Sequence, residues 1–138
     1  MTILQPAGWP RPKGYALVIA APGTPVYLSG QIGWNARGEF AGETLAAQVE
    51  QALRNIVEVL AEAGGRPEHL VRLTWYVVDK AEYTSAQKAI GTAYRAVLGR
   101  HYPAMAVVVV SALVEDAARV EIEATAVIPP SAPNQTTP

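Results

Sequence analysis

Residues 101–110 read His-Tyr-Pro-Ala-Met-Ala-Val-Val-Val-Val, and this run constrains the fold more than any other feature of the chain. Four consecutive valines have no polar alternation, so the segment is a strand that wants cover on both of its faces. Pro103 bars a helix from running into it. A second segment makes the same demand. In Leu-Val-Arg-Leu-Thr-Trp-Tyr-Val-Val, residues 70–78, side chains alternate across the strand, so Trp75 and Tyr76 fall on opposite faces.

The rest of the chain supplies cover for one face only. Leu45, Val49, Ala52, Leu53, Ile56, Val57 and Leu60 recur at helical spacing and predict a helix over 44–63. Gln48, Glu50, Gln51, Arg54, Glu58 and Glu62 fill its polar side, and Gly64-Gly65 stops it. Asp79 with Glu82 forms a capping-box pattern that opens a second helix, carrying Tyr83, Ala86, Ile90, Ala93, Tyr94 and Val97 inward as far as Gly99. Upstream, the β-rich runs at 15–20 and 26–31 flank Ala-Pro-Gly-Thr-Pro and predict a hairpin, and residues 34–40 predict a turn. Strands over 104–113 and 119–128, joined by Val-Glu-Asp-Ala-Ala, close the chain. The predicted order is β-β-α-β-α-β-β. Residues 1–14 form an extended arm, 15–128 a single domain, and 129–138 a Pro-rich, polar, disordered tail. Two helices cover one face of such a sheet, so the cheapest cover for the other is a further copy of the chain.

Composition narrows the function classes. The 138 residues suit one domain, with 11 basic residues against 12 acidic ones and a net charge of −1. No basic run or basic helix face marks a nucleic-acid partner. The absence of cysteine excludes disulfides, thiol nucleophiles and thiolate metal sites. His69 and His101 have no partner at metal-ligand spacing, so neither a metal nor a cofactor is expected. The N-terminus lacks a secretory pattern, and no apolar run reaches the about 20 residues that span a bilayer. A cytoplasmic protein with no membrane partner is the expectation.

Residue chemistry offers few candidates. Glu121 and Glu123 share a strand face with Arg119, while Val120, Ile122 and Ala124 face the other way, and the simplest reading is a salt-bridged or solvated face. Ser29 sits in no nucleophile elbow. Met105 reads as a flexible apolar filler, and Trp34, in a turn, is aromatic enough to stack on a ring.

Five segments in fixed order make the chain similar to a known family. They are Tyr-Leu-Ser-Gly-Gln-Ile-Gly (27–33), the helix ending in Ala-Glu-Ala-Gly-Gly (61–65), the strand 70–80, Tyr-Pro-Ala-Met (102–105) and Val-Glu-Ile-Glu-Ala-Thr-Ala-Val (120–127). From about Gly14 to Ile128 they resemble the Rid family of reactive intermediate deaminases, also called YjgF or L-PSP proteins. The resemblance implies an α+β, chorismate-mutase-like (YjgF-type) fold with two helices on one face of a mixed sheet. It also implies a homotrimer with a central barrel and three clefts between subunits, where the best-known members hydrolyse enamines and imines such as 2-aminoacrylate to ammonia and a 2-keto acid. The family's deaminase pattern Pro-Ala-Arg-Ser, whose arginine binds the substrate carboxylate, corresponds here to Pro103, Ala104, Met105 and Ala106. An asparagine of many deaminase members aligns near Gly91. What remains by resemblance is Tyr15 at the cleft entrance, the Ser29-Gly30-Gln31 turn, and Glu121 as the carboxylate that positions water. The expected function is binding, and if the chain is an enzyme hydrolysis, of a small imine, enamine or carbonyl metabolite. Without the arginine, that ligand should be less acidic, or larger and more apolar, than 2-aminoacrylate. A non-catalytic small-ligand binding or sensing trimer is the alternative, and an endoribonuclease fits least.

Overall fold

The computed structural model describes residues 1–131, so the expectation for the tail falls mostly on residues outside those described. Strands β1 (Thr2–Leu4), β2 (Val18–Ala20) and β3 (Thr24–Ile32) lead to helix α1 (Leu45–Ala61). A 3-10 turn at Pro67–His69 precedes β4 (Leu70–Val77). Helices α2 (Lys80–Ser85) and α3 (Gln87–Leu98), then β5 (Ala104–Val109) and β6 (Val120–Ile128), complete the order. The main sheet runs β3-β6-β4-β5, with β4 and β5 parallel and the other pairs antiparallel. This is the mixed α+β architecture expected.

Two expectations are corrected. The hairpin between 15–20 and 26–31 does not form: β2 pairs with β1 in a separate small sheet, whereas the length of β3 pairs with β6. The ladder partner is chosen by burial across the whole fold rather than by the turn, and β3 gains more against β6. The second helix is two helices, since Ala86 (φ −102°, ψ 13°) leaves helical geometry between α2 and α3. Asp79 does cap α2, its Oδ1 accepting from the Glu82 N–H at 3.0 Å.

The core lies between one face of the sheet and helices α1 and α3. Alternation puts Leu73, Trp75 and Val77 of β4 and Val120, Ile122 and Ala124 of β6 on that face, all buried, against Val49, Leu53, Ile56 and Leu60 of α1. Each such aliphatic side chain contributes about 1.5–3 kcal/mol by leaving water. Thr44 caps α1 by accepting from the Ala47 N–H at 3.2 Å. At its other end Gly65 packs so closely that a β-carbon would lie 2.5 Å from Leu60 Cδ1.

Gln48 departs from the polar side that helical periodicity assigns to it. It is 1% exposed, because the chain ends flanking α1 and β6 offer it three backbone partners. Its amide donates to the carbonyls of Gly42 (3.2 Å) and Ala117 (3.0 Å), and its Oε1 accepts from the Arg119 N–H (2.8 Å).

The other sheet face is uncovered within one chain. Thr74, Tyr76, Glu121 and Glu123 lie on it, as does Tyr27, which is 79% exposed. β5 is an edge strand whose one neighbouring strand is β4, and its Val107, Val108 and Val109 are exposed. The cover that the valine run calls for on both faces is therefore absent from the single chain.

Candidate functional site

The residues singled out in the sequence separate into groups, and strand register decides which. In the parallel β4–β5 ladder Met105 pairs with Leu73 and Val107 with Trp75, so these side chains face the helices. Ala106 pairs with Thr74 and faces the opposite side, where the β4–β6 ladder also puts Glu121 (beside Tyr76) and Glu123 (beside Thr74). Met105 and Glu121 therefore stand on opposite faces of one sheet.

On the helix side lies a cavity of about 620 Å³. The segment before β2 is pinned to its rim, because the Ala16 N–H donates to the Pro103 carbonyl at 3.1 Å and Ala16 bridges to Ala104. Tyr15 thereby comes beside Met105. Helix α3 contributes Gly91, Tyr94 and Arg95. Tyr94 stacks between Trp75 (centroids 6.3 Å apart, 18° between planes) and Tyr102 (5.3 Å, 8°), forming an aromatic wall. Its hydroxyl donates to the His101 carbonyl at 2.6 Å. Burial, with a smaller contribution from Tyr102, holds the Tyr94 phenol well above its ordinary pKa of 10.0, so it stays neutral. The charged residues lining this cavity are Lys13 and Arg95, and no carboxylate lines it.

On the other face the Ser29-Gly30-Gln31 turn meets Glu121. A register shift interrupts the β3–β6 ladder between Leu28 and Gln31. A β-carbon at Gly30 would sit 2.7 Å from the Glu121 carboxyl carbon, so glycine is what admits the carboxylate there. The Gln31 amide donates to the Ser29 carbonyl and hydroxyl, each at 3.3 Å. Glu123 accepts from the Tyr76 hydroxyl at 2.7 Å, and this bond is the main cause raising the Tyr76 pKa above its ordinary value. Trp34 packs on Phe40 with centroids 5.7 Å apart, in a hollow shared with Gln31 and away from Tyr15 and Met105. The histidines have structural partners: His101 Nε2 bonds the Leu70 carbonyl at 2.7 Å, and His69 Nδ1 accepts from the Arg66 N–H at 3.0 Å. Arg119 forms an ion pair with Glu82 at 2.7 Å, so it is not a partner of Glu121. Among the described residues no group of three His, Asp or Glu is placed to hold a metal, and no helix is long and apolar enough to cross a membrane.

Arg95, Lys13 and the Tyr94–Tyr102 wall were not among the residues that sequence reasoning selected. One signal for Arg95 is present in the chain: it stands four residues after Gly91, where a long side chain folds back along its own helix over a position with no side chain of its own.

A mixed sheet with helices on one face, a Tyr15–Met105 cavity and a Gly30–Glu121 pair define an α+β protein with candidate half-sites on both faces of its sheet. The sequence model of the family described as Endoribonuclease L-PSP matches residues 11–128. Human 2-iminobutanoate/2-iminopropanoate deaminase is 31% identical over 103 residues, covering 74% of this chain and 72% of that protein. The Salmonella typhimurium protein of the same name is 31% identical over 108 residues, covering 76% and 80%. Among solved structures, a Rid-family protein of unknown function from Yersinia pestis superposes with a TM-score of 0.81 at 33% identity, covering 92% of this chain and 98% of that one. The Escherichia coli YjgF product superposes with a TM-score of 0.65 at 32% identity, covering 76% and 81%. The chain belongs to the Rid/YjgF family.

Proposed function

We propose that the chain works as a Rid-type trimer that binds a small imine, enamine or carbonyl metabolite between subunits, with Glu121 acting on the attacking water. The observation that carries this reading is the separation of Met105 and Tyr15 from Glu121 and Gly30 by the thickness of one sheet. Two half-sites on opposite faces make one site only where one subunit's helix-side cavity meets another's open sheet face. The uncovered Val107–Val109 edge and the exposed Tyr27 face give such an assembly apolar surface to bury. Deaminase relatives at 31% identity support the reaction class. In it, water adds to the imine carbon, the amine leaves as ammonia, and a carbonyl remains. A carboxylate next to the water removes its proton.

A second reading, ligand binding without turnover, is favoured by Met105 and Ala106. They stand where the deaminase pattern has arginine and serine and offer no polar group to a substrate. Ammonia release from enzymatically generated 2-imino acids separates the two. Turnover that Glu121→Ala lowers about 100-fold or more supports the enzyme. Turnover unchanged by that substitution removes Glu121 from the mechanism, and a stable monomer by light scattering at micromolar concentration removes the inter-subunit site.

A further inference from the structure

We propose that Arg95, lying over Gly91 on α3, binds the carboxylate of an aromatic or extended apolar acid whose body rests on the Trp75–Tyr94–Tyr102 wall. This rests on the cavity being the ligand cleft. It assigns the ligand's acid group to a residue on another element than the strand position occupied by Met105.

Four observations converge. The first is charge: Lys13 and Arg95 line the cavity and no acid does, so the site favours an anion. The second is that Arg95 has no ion-pair partner among the described residues, a state it shares with Arg11, Arg72 and Arg100, and of these four it alone lines this cavity. The third is Gly91. A β-carbon there would lie 3.1 Å from Arg95 Nη1, so the guanidinium lies close over this position and a side chain here would shift it by a few tenths of an ångström. Glycine inside a helix costs about 1 kcal/mol relative to alanine, and here it leaves room for the guanidinium to lie along the helix at the cavity wall.

The fourth observation is independent of charge. Trp75 lines the same cavity and is 3% exposed, and its Nε1 is the one buried side-chain polar atom among the described residues without a hydrogen-bond partner. A buried donor left unsatisfied costs about 1–3 kcal/mol; Nε1 has less than 1 Å² of exposed surface, so an acceptor in the cavity satisfies it once the indole turns toward the ligand. A carboxylate or carbonyl oxygen is such an acceptor. Arginine suits the other part of the acid better than Lys13 does, because its planar fork matches two oxygens at once.

Cavity size and lining then select the ligand's body. About 620 Å³ falls within the about 300–1,000 Å³ of sites for drug-sized ligands and far exceeds what 2-aminoacrylate fills. The remaining side-chain walls are Tyr15, Tyr83, Ile90, Met105 and Val107, apolar or aromatic, with one polar exception in Gln87, whose amide already donates to the Tyr83 carbonyl. An acid with a ring or long apolar chain covers them, and a small acid leaves them wet.

Calorimetric titration of the full chain with phenylacetate and with its neutral isostere phenylacetamide tests this. Phenylacetate should bind saturably and about 10- to 150-fold more tightly than the amide, the range expected of a charge-assisted pair. Arg95→Met should erase that preference while leaving the amide's affinity within about two-fold, and Arg95→Lys should keep part of it. Trp75→Phe should weaken both probes together, since it removes the N–H but retains a ring. Equal binding of the two probes by the native chain overturns the Arg95 assignment while the cleft reading stands. A preference that survives Arg95→Met and disappears in Lys13→Met also overturns it. If neither probe binds, the cavity is not the ligand site, and the assignment falls with it. The Glu121→Ala turnover assay tests the catalytic reading separately.

Discussion

Replacing Gln48 by methionine removes three hydrogen bonds and almost no volume. Gln48 is 1% exposed and ties the Gly42 and Ala117 carbonyls and the Arg119 N–H to the first turn of α1. Methionine has similar length and none of the three polar functions, so the packing change itself stays below about 1.5 kcal/mol. Each net hydrogen bond contributes about 0.5–1.5 kcal/mol, and losing all three costs about 3 kcal/mol. Repacking gives little relief, because a β-carbon at Gly33 would already lie 2.6 Å from Gln48 Cβ, which shows how tightly the loop after β3 is pressed on this side chain. For a domain of this size 1 kcal/mol moves Tm by about 2–5 °C, so Gln48→Met should melt about 6–15 °C below the native chain. Differential scanning calorimetry reads this directly. Glu58→Gln on the exposed side of the same helix should shift stability by no more than about 0.5 kcal/mol. Amide exchange adds a local readout. Arg119 immediately precedes β6, so its N–H, freed of Gln48, should exchange faster than its neighbours, and the strand carrying Glu121 should loosen at that end. A Gln48→Met chain that melts within about 2 °C of native, with Arg119 still protected, would refute the reasoning.

Gly30→Ala should leave Tm nearly unchanged, because the β-carbon meets the flexible end of Glu121 rather than backbone. A displaced carboxylate should nonetheless lower any imine turnover by about 100-fold, with the loss in kcat rather than KM. The native chain should release little ammonia from 2-aminoacrylate and Met105→Arg somewhat more. The gain stays partial because Arg95 and Lys13 line the same cavity, and native turnover no slower than that of the Met105→Arg variant would remove the argument from Met105. Tyr94 has a folded-state pKa raised above 10.0, so its neutral form is favoured by folding. That stabilisation is complete below the ordinary value and is lost as pH climbs toward the folded one. The native Tm should therefore fall more steeply than that of Tyr94→Phe above about pH 10, while at pH 7 the variant should be less stable by about 1 kcal/mol for its lost bond to the His101 carbonyl.

Local sterics made several elements legible from the chain alone. The helical spacing of Leu45, Val49, Leu53, Ile56 and Leu60, the alternation of Val120, Ile122 and Ala124, and the Asp79–Glu82 cap all reappear in the fold, because each depends on neighbours within a turn or a pleat. The valine run forms the expected strand, but in one chain its Val107, Val108 and Val109 stay exposed. Tertiary structure decided whatever depends on a partner distant in sequence. Gln48 looked like a surface residue because its partners at Ala117 and Arg119 are 69 and 71 positions away. The Pro-Gly break between β2 and β3 was legible, but the hairpin read from it does not form, since the ladder partner of β3 lies about a hundred residues on, at β6. The candidate site shows the same division. Met105, Glu121 and Tyr15 could be picked out one by one, whereas only the register of β4 with both β5 and β6 put Met105 and Glu121 on opposite faces. Arg95 and Met105 line one cavity because tertiary packing, which no local pattern encodes, brings α3 and β5 to it.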